Sequence, residues 1–217
     1  WEQGTHFLEN KDYDKAIIQF DRALSLGGME DDILWGKARA YFLKDDLEGS
    51  FDSYSKAISY AGEDVSQELV SEYMDLLLEN NQTLRADELV KKLMNYISAP
   101  YVRLYGVKVN KALNDSKKVD YYLGLLAKMK LEEQDKKEYI YLNASNLLAK
   151  GKTDDVPVVL EELVKIDRFS PQYYLVSGQL EYNLGNKDAA KEMLKKAIEY
   201  DTGNLVSEEA NQLLSQI

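Results

Sequence analysis

Apolar residues along this chain recur at three- and four-residue intervals, and the whole pattern returns after about 34 residues. The segment DYDKAIIQFDRAL at 12–24 returns as NKDAAKEMLKKAI at 186–198, with a weaker copy, DLEGSFDSYSKAI, at 46–58. Intervals of three and four place these residues on one face of a helix. Strand-like alternation is absent over any useful length. The pattern therefore predicts an all-α chain of stacked helical hairpins.

Two slots define each repeat, a small residue in the first helix and a large apolar residue in the second. The first-helix residues are Gly4, Ala38, Met74, Gly106, Ala144 and Gly178, and the second-helix residues are Phe20, Tyr54, Val90, Tyr122 or Leu123, Leu160 and Leu194. In the fourth unit the slot that begins the second helix stays open between Lys118 and Val119. A close helix crossing needs a small residue, so Met74 departs from the pattern.

Aligned on these slots, residues 1–217 form one predicted solenoid domain. Its predicted repeats are 1–30, 31–64, 65–98, 99–131, 132–170 and 171–203, followed by a capping helix at 204–217. Gly151 and Gly185 stand where a helix should end in a left-handed residue. All three prolines fall near predicted helix starts, where a missing N–H costs little.

The charge balance limits the partners that suit this chain. With 27 basic and 38 acidic residues the net charge is −11, which disfavours nucleic acid and anionic membrane surfaces. No run approaches 18 apolar residues, so we expect no membrane insertion by this region. The chain starts at Trp1, lacks cysteine and is rich in Lys, Asn, Tyr and Asp. These features favour a trimmed bacterial cell-envelope protein, which leaves an upstream anchor open, with a cytoplasmic adaptor as the alternative.

Three segments carry a resemblance to the tetratricopeptide repeat family. They are GTHF at 4–7, LWGKARAY at 34–41, and YLVSG at 174–178 with LGNKDAAKEMLKKAIEYD at 184–201. The resemblance implies a right-handed superhelix of antiparallel helix pairs. It also implies a concave groove, lined mainly by first helices, that binds a peptide or another protein and has no activity of its own.

Groove positions follow from the register of the repeat. The residues that we expect to line a peptide-binding groove are Trp35, Arg39, Phe42, Arg103, Tyr141 and Tyr182. Aromatic rings and arginines are the side chains that most often anchor a bound peptide. The alternative is that Trp35 and Phe42 pack against the next repeat. The Lys and Asn pairs with which related domains clamp a C-terminal carboxylate are absent, so a chaperone co-factor role is not expected.

Catalytic chemistry finds no support in the residues. His6 is the only histidine, there is no cysteine, and no phosphate-binding glycine loop occurs. We therefore expect no enzyme activity, no cofactor and no metal site. The predicted function is a non-catalytic scaffold that binds a protein or peptide ligand. The alternative is a structural or assembly protein, a homo-oligomer that associates through the ends of the solenoid.

Overall fold

The computed structural model describes all 217 residues as helices and short connections, with no strand. The helices are α1 Glu2–Glu9, α2 Tyr13–Ser25, α3 Glu30–Leu43, α4 Leu47–Ala61, α5 Gln67–Glu79, α6 Thr83–Leu93, α7 Pro100–Ala112, α8 Ser116–Leu126, α9 Glu133–Ala149, α10 Val156–Ile166, α11 Pro171–Asn183, α12 Lys187–Tyr200 and α13 Ser207–Leu214. A short 3₁₀ turn at Gly62–Asp64 follows α4. The predicted all-α class is confirmed, with six helix pairs and one additional helix.

The chain divides into two compact units, Trp1–Ile97 and Ser98–Ile217. The first unit holds α1–α6 and the second holds α7–α13. Within each unit consecutive helices pack as hairpins, from α1 with α2 to α11 with α12. The last helix, α13, packs on α12 and buries Val206 and Ala210 against Leu175 and Leu194. It covers the apolar end of the second unit, as the sequence predicts.

Every hairpin is closed by the same two-residue turn. The first helix ends in a residue with positive φ, namely Lys11, Asp45, Asn81, Asn114, Gly151 and Gly185. The N–H of the following residue donates to the carbonyl five positions back, at 2.7–3.0 Å in all six turns. This is the Schellman arrangement, which satisfies carbonyls that a helix end leaves without partners. The prediction for Gly151 and Gly185 is confirmed, and four non-glycine residues adopt the same conformation.

The helices of a hairpin cross at the small residue of the first helix. A Cβ atom on Gly4 would lie 2.5 Å from the Phe20 ring, and one on Gly178 would lie 2.7 Å from Leu194 Cγ. Where the first-helix residue is the large Met74, the second helix carries the smaller Val90, and both are fully buried. The sizes therefore compensate across the crossing, because a close-packed interior leaves little free volume.

In the fourth hairpin the burial of the side chains decides between the residues that the sequence left open. Val119, Tyr122 and Leu123 are all buried, whereas Lys118 is half-buried. A Cβ on Gly106 would lie 2.7 Å from the Tyr122 ring, so Tyr122 occupies the crossing. The position near the start of the second helix that the sequence left open between Lys118 and Val119 is therefore Val119, the buried residue of the two.

Gly178→Ala should destabilise the chain, because the new methyl group would meet both the Leu194 side chain and its backbone nitrogen at 3.3 Å. We expect a loss of about 1–3 kcal/mol in the free energy of unfolding. Gly124→Ala is the matched control, since Gly124 lies inside α8 with nothing within 4 Å of the added Cβ. That control should stabilise by about 0.5–1 kcal/mol. Urea denaturation measures both, and equal effects would contradict the crossing.

Candidate functional site

In the first unit, the predicted groove residues Trp35 and Arg39 meet at the carboxylate of Glu72 on α5. Trp35 Nε1 donates to Glu72 Oε2 at 2.9 Å, and Arg39 donates through Nε at 2.8 Å and Nη2 at 2.5 Å. The guanidinium carbon also lies 4.4 Å from the centre of the Trp35 ring. The three side chains therefore form one connected platform, which we call the Glu72 platform.

Tyr54 completes this platform from its buried side. Its hydroxyl, on α4, donates to Glu72 Oε1 at 2.5 Å, and the residue is almost fully buried. Burial works against ionisation of Glu72, but the hydrogen bonds from Arg39, Tyr54 and Trp35 outweigh it and lower the pKa of the carboxyl. Burial and the Glu72 carboxylate raise the pKa of Tyr54, so its hydroxyl stays neutral. Glu72 thus neutralises Arg39 within the protein.

The other two predicted groove residues of the first helices α3 and α7, Phe42 and Arg103, lie in different units of the chain. Phe42 lies two turns after Trp35 on α3 and is 42 % exposed, next to Leu43 at 48 %. It offers an open apolar contact beside the Glu72 platform. Arg103 lies on α7, in the second unit, and its Nη1 donates to the Ala99 carbonyl at 3.0 Å. The guanidinium is therefore tied in part to the first turn of its own helix.

The second unit contains an open groove on the side of its first helices, which we call the C-terminal groove. Its volume is about 410 Å³. It is lined by Lys111 of α7, Ser145, Leu148 and Ala149 of α9, Gln179, Tyr182 and Asn183 of α11, and Glu209, Gln212, Leu213 and Gln216 of α13. The structure thus brings the predicted Tyr182 together with polar groups from three first helices and the capping helix.

Tyr141 lies behind this groove rather than along it. Its side chain packs against two apolar clusters of the second unit. Burial, with the charge of Glu209 as a second cause, raises the pKa of Tyr141 to about 12. Lys111 Nζ lies 5.9 Å from its ring centre. Tyr141 is therefore a neighbour of Lys111, which does line the groove.

A buried carboxylate fixes the helix that forms one wall of the groove. Asp201 accepts hydrogen bonds from the N–H groups of Leu205, Val206 and Ser207 and from the Ser207 hydroxyl, at 2.7–2.9 Å. Burial opposes ionisation, but these bonds lower the pKa of Asp201 to about 2. They hold the start of α13, so that Glu209 can accept from Gln179 Nε2 at 2.7 Å.

The residues of α13 are the part of the site that sequence reasoning missed. The sequence predicts that helix only as a cap, and nothing in the repeat pattern assigns its polar residues to a groove. The Asp201-to-Ser207 spacing was the available signal, because a short acidic side chain there can cap the following helix.

Two negative findings bear on the chemistry of the surface. The structure contains no group of three or more His, Asp or Glu side chains placed to hold a metal ion. None of its helices combines the length and the apolar character needed to cross a lipid bilayer.

Comparisons with known proteins agree with this architecture. A family model described as "Tetratricopeptide repeat" matches residues 171–204, which cover α11 and α12. A "TPR repeat-containing protein" of Methanocaldococcus jannaschii is 24 % identical over 206 residues, or 90 % of this chain. This chain spans only 35 % of that relative.

Solved structures with the same fold cover nearly the whole chain. A tetratricopeptide repeat protein from Parabacteroides merdae has a TM-score of 0.62 at 18 % identity, covering 98 % of this chain and 81 % of its own. YrrB, described as a TPR protein with an unusual peptide-binding site, has a TM-score of 0.54 at 15 % identity, covering 89 % and 97 %. The resemblance to the tetratricopeptide repeat family and the predicted fold class are therefore confirmed.

Glu72→Gln should weaken the Glu72 platform, because the amide can neither pair with Arg39 nor accept as many hydrogen bonds. We expect about 1–2 kcal/mol less free energy of unfolding at pH 7, a figure reduced by solvent screening. A carboxyl with a lowered pKa stabilises the fold above its unfolded pKa, and that contribution disappears as the pH falls through its folded pKa. Below about pH 4.3 the difference between wild type and variant should therefore shrink.

Urea denaturation at pH 7 and pH 3 measures both effects. Glu68→Gln is the control, since Glu68 is an exposed residue of the same helix. Its effect should stay within about 0.5 kcal/mol at either pH. Equal losses for the two variants at pH 7 would show that Glu72 does not organise the platform.

Proposed function

We propose that this tetratricopeptide-repeat chain is a non-catalytic scaffold that binds a protein or peptide, with the C-terminal groove as its ligand site. Tetratricopeptide folds generally mediate protein or peptide binding. YrrB, which has the same fold, is described as a TPR protein with an unusual peptide-binding site. The observation that carries the proposal is the convergence of Lys111, Gln179, Tyr182 and α13 on one open groove.

The lining of the groove suits an extended polypeptide. Side-chain amides of Gln179, Asn183, Gln212 and Gln216 can donate to and accept from main-chain groups, which every peptide carries. Leu148 and Leu213 supply apolar contact, and Tyr182 adds a ring with a polar tip. A volume of about 410 Å³ lies within the range of ligand-binding clefts.

The Glu72 platform offers a second contact surface on the first unit. Because Glu72 already neutralises Arg39, the platform does not present a free positive charge. Its exposed contacts are the Trp35–Arg39 stack, the ring of Phe42 and the methyl groups of Leu43. We infer that it contributes apolar contact to a bound partner rather than a free positive charge.

Tyr182→Ala and Gln179→Ala should each weaken peptide binding about tenfold, because they remove central contacts of the groove. A ligand is first selected on the wild-type chain from a displayed random-peptide library. Its affinity for each variant is then measured by calorimetry. Tyr60→Ala, which removes a 63 % exposed tyrosine from α4, is the matched control and should bind like wild type. Unchanged affinity for both groove variants would overturn the ligand-site assignment.

An exposed apolar patch favours assembly as the second candidate function. At the beginning of the first unit, Trp1, Leu26 and Met29 are 50 %, 86 % and 69 % exposed. They line a largely apolar hollow of about 370 Å³ with Ile33. Contiguous exposed apolar surface of this kind often marks a protein contact.

Self-association through this patch predicts a concentration-dependent mass. In sedimentation equilibrium the wild type should rise above the 24.8 kDa of one chain as concentration increases. Leu26→Glu/Met29→Glu should remain at the monomer mass, because charge at the patch disfavours its burial. A wild type that stays monomeric over the whole range would remove the assembly hypothesis and leave the scaffold proposal untouched.

A further inference from the structure

The positive charge that lines the C-terminal groove differs from the other lysine charges on first helices. Five lysines lie on these helices. Four of them form ion pairs at 2.5–3.8 Å with carboxylates outside their own helix, namely Lys37 with Asp21, Lys108 with Glu138, Lys136 with Glu162 and Lys137 with Asp167. Lys111 is the fifth, and its ammonium lies over the Tyr141 ring instead of against a carboxylate. It therefore brings an uncompensated positive charge to the groove.

An uncompensated negative charge stands on the wall that α13 forms. Glu209 accepts a hydrogen bond from the Gln179 amide at 2.7 Å, but a neutral amide leaves the charge of the carboxylate in place. Glu209 and Lys111 are both exposed and line the same groove, one from α13 and the other from α7, without forming an ion pair with each other. The groove thus presents opposite charges on two of its walls.

A smaller hollow opens beside the groove at Lys111. Its volume is about 160 Å³, well below the range of clefts that hold a whole ligand, so it suits a single side chain. Lys111 and Ala149 line both spaces, which makes the hollow continuous with the groove. Asn114 and Ser116 add an amide and a hydroxyl that can donate hydrogen bonds. No carboxylate lines the hollow, although the chain has a net charge of −11.

We propose that the C-terminal groove selects a peptide segment with one acidic and one basic side chain in a fixed order, an inference that rests on the scaffold function above. The acidic side chain enters the hollow at Lys111, where Asn114 and Ser116 donate to it. The basic side chain lies against Glu209 on the α13 wall. Charges of opposite sign on two walls fix the direction of the bound segment, because the reversed direction brings like charges together.

Selection from a displayed random-peptide library on the full chain tests this charge order. Peptides selected on the wild type should carry an Asp or Glu and a Lys or Arg at a constant spacing and in one order. Lys111→Glu should select a basic residue at the formerly acidic position, and Glu209→Lys an acidic residue at the formerly basic one. Lys191→Glu and Glu199→Lys make the same charge changes at exposed positions of α12 outside the groove, so they should leave the pattern unchanged.

Calorimetry with one peptide selected on the wild type measures the effect of the charge directly. Lys111→Glu should weaken this peptide about tenfold, because attraction is replaced by repulsion. A synthetic peptide with lysine in place of its acidic residue should bind Lys111→Glu nearly as well as the original peptide binds wild type. The same synthetic peptide should bind wild type about tenfold more weakly. Recovery of this kind also shows that the variant is folded.

The outcomes separate this inference from the ligand-site assignment. Selected peptides without a constant charge order, or equal affinity for wild type and Lys111→Glu, would overturn the charge selection. Equal weakening by Lys111→Glu and Lys191→Glu would overturn it too, since net charge alone would then explain the loss. If such peptides still weaken with Tyr182→Ala, the groove remains the ligand site. Peptides that respond to neither Tyr182→Ala nor Lys111→Glu bind elsewhere, and both proposals then fail.

Discussion

Each hairpin depends on how closely its two helices approach, and a pair of side chains at the crossing sets that distance. Gly4 faces Phe20 and Gly178 faces Leu194, a small residue against a large one, whereas the third hairpin combines the large Met74 with the smaller Val90. Because interiors are close-packed, a change of one methyl group at this point moves a whole helix or leaves a strained contact. The Schellman turn after each first helix fixes the direction in which the chain enters the second helix.

The candidate sites are consequences of this geometry. With the crossing face of each first helix committed to the core, its remaining side chains are free to line surfaces such as the C-terminal groove. The same holds for second helices, since the outward residues Phe51 of α4 and Leu89 of α6 line an open groove on the first unit. Glu72 and Tyr73 are neighbours on α5, but Glu72 belongs to the Glu72 platform and Tyr73 lines the groove between α4 and α6. The chain therefore presents separate surfaces on one framework of helices.

Sequence reasoning reached the features that repeat and missed those that occur once. The period, the crossing residues and the left-handed Gly151 and Gly185 all follow from local rules. Lys11 and Asp45 adopt the same turn without glycine, which propensity alone does not predict. The pairing of Arg39 with Glu72 joins residues 33 positions apart, so it depends on how hairpins stack. The contribution of α13 to the groove likewise depends on the buried Asp201 carboxylate.

A double-mutant cycle at one crossing measures whether the two facing side chains together set the approach of the helices. The free energies of unfolding of wild type, Gly178→Ala, Leu194→Ala and the double variant are measured by urea denaturation. We expect coupling: Gly178→Ala should cost about 1–3 kcal/mol of unfolding free energy with Leu194 present and less than about 0.5 kcal/mol after Leu194 is shortened. Additive losses in the two single variants would show that the crossing does not control the hairpin.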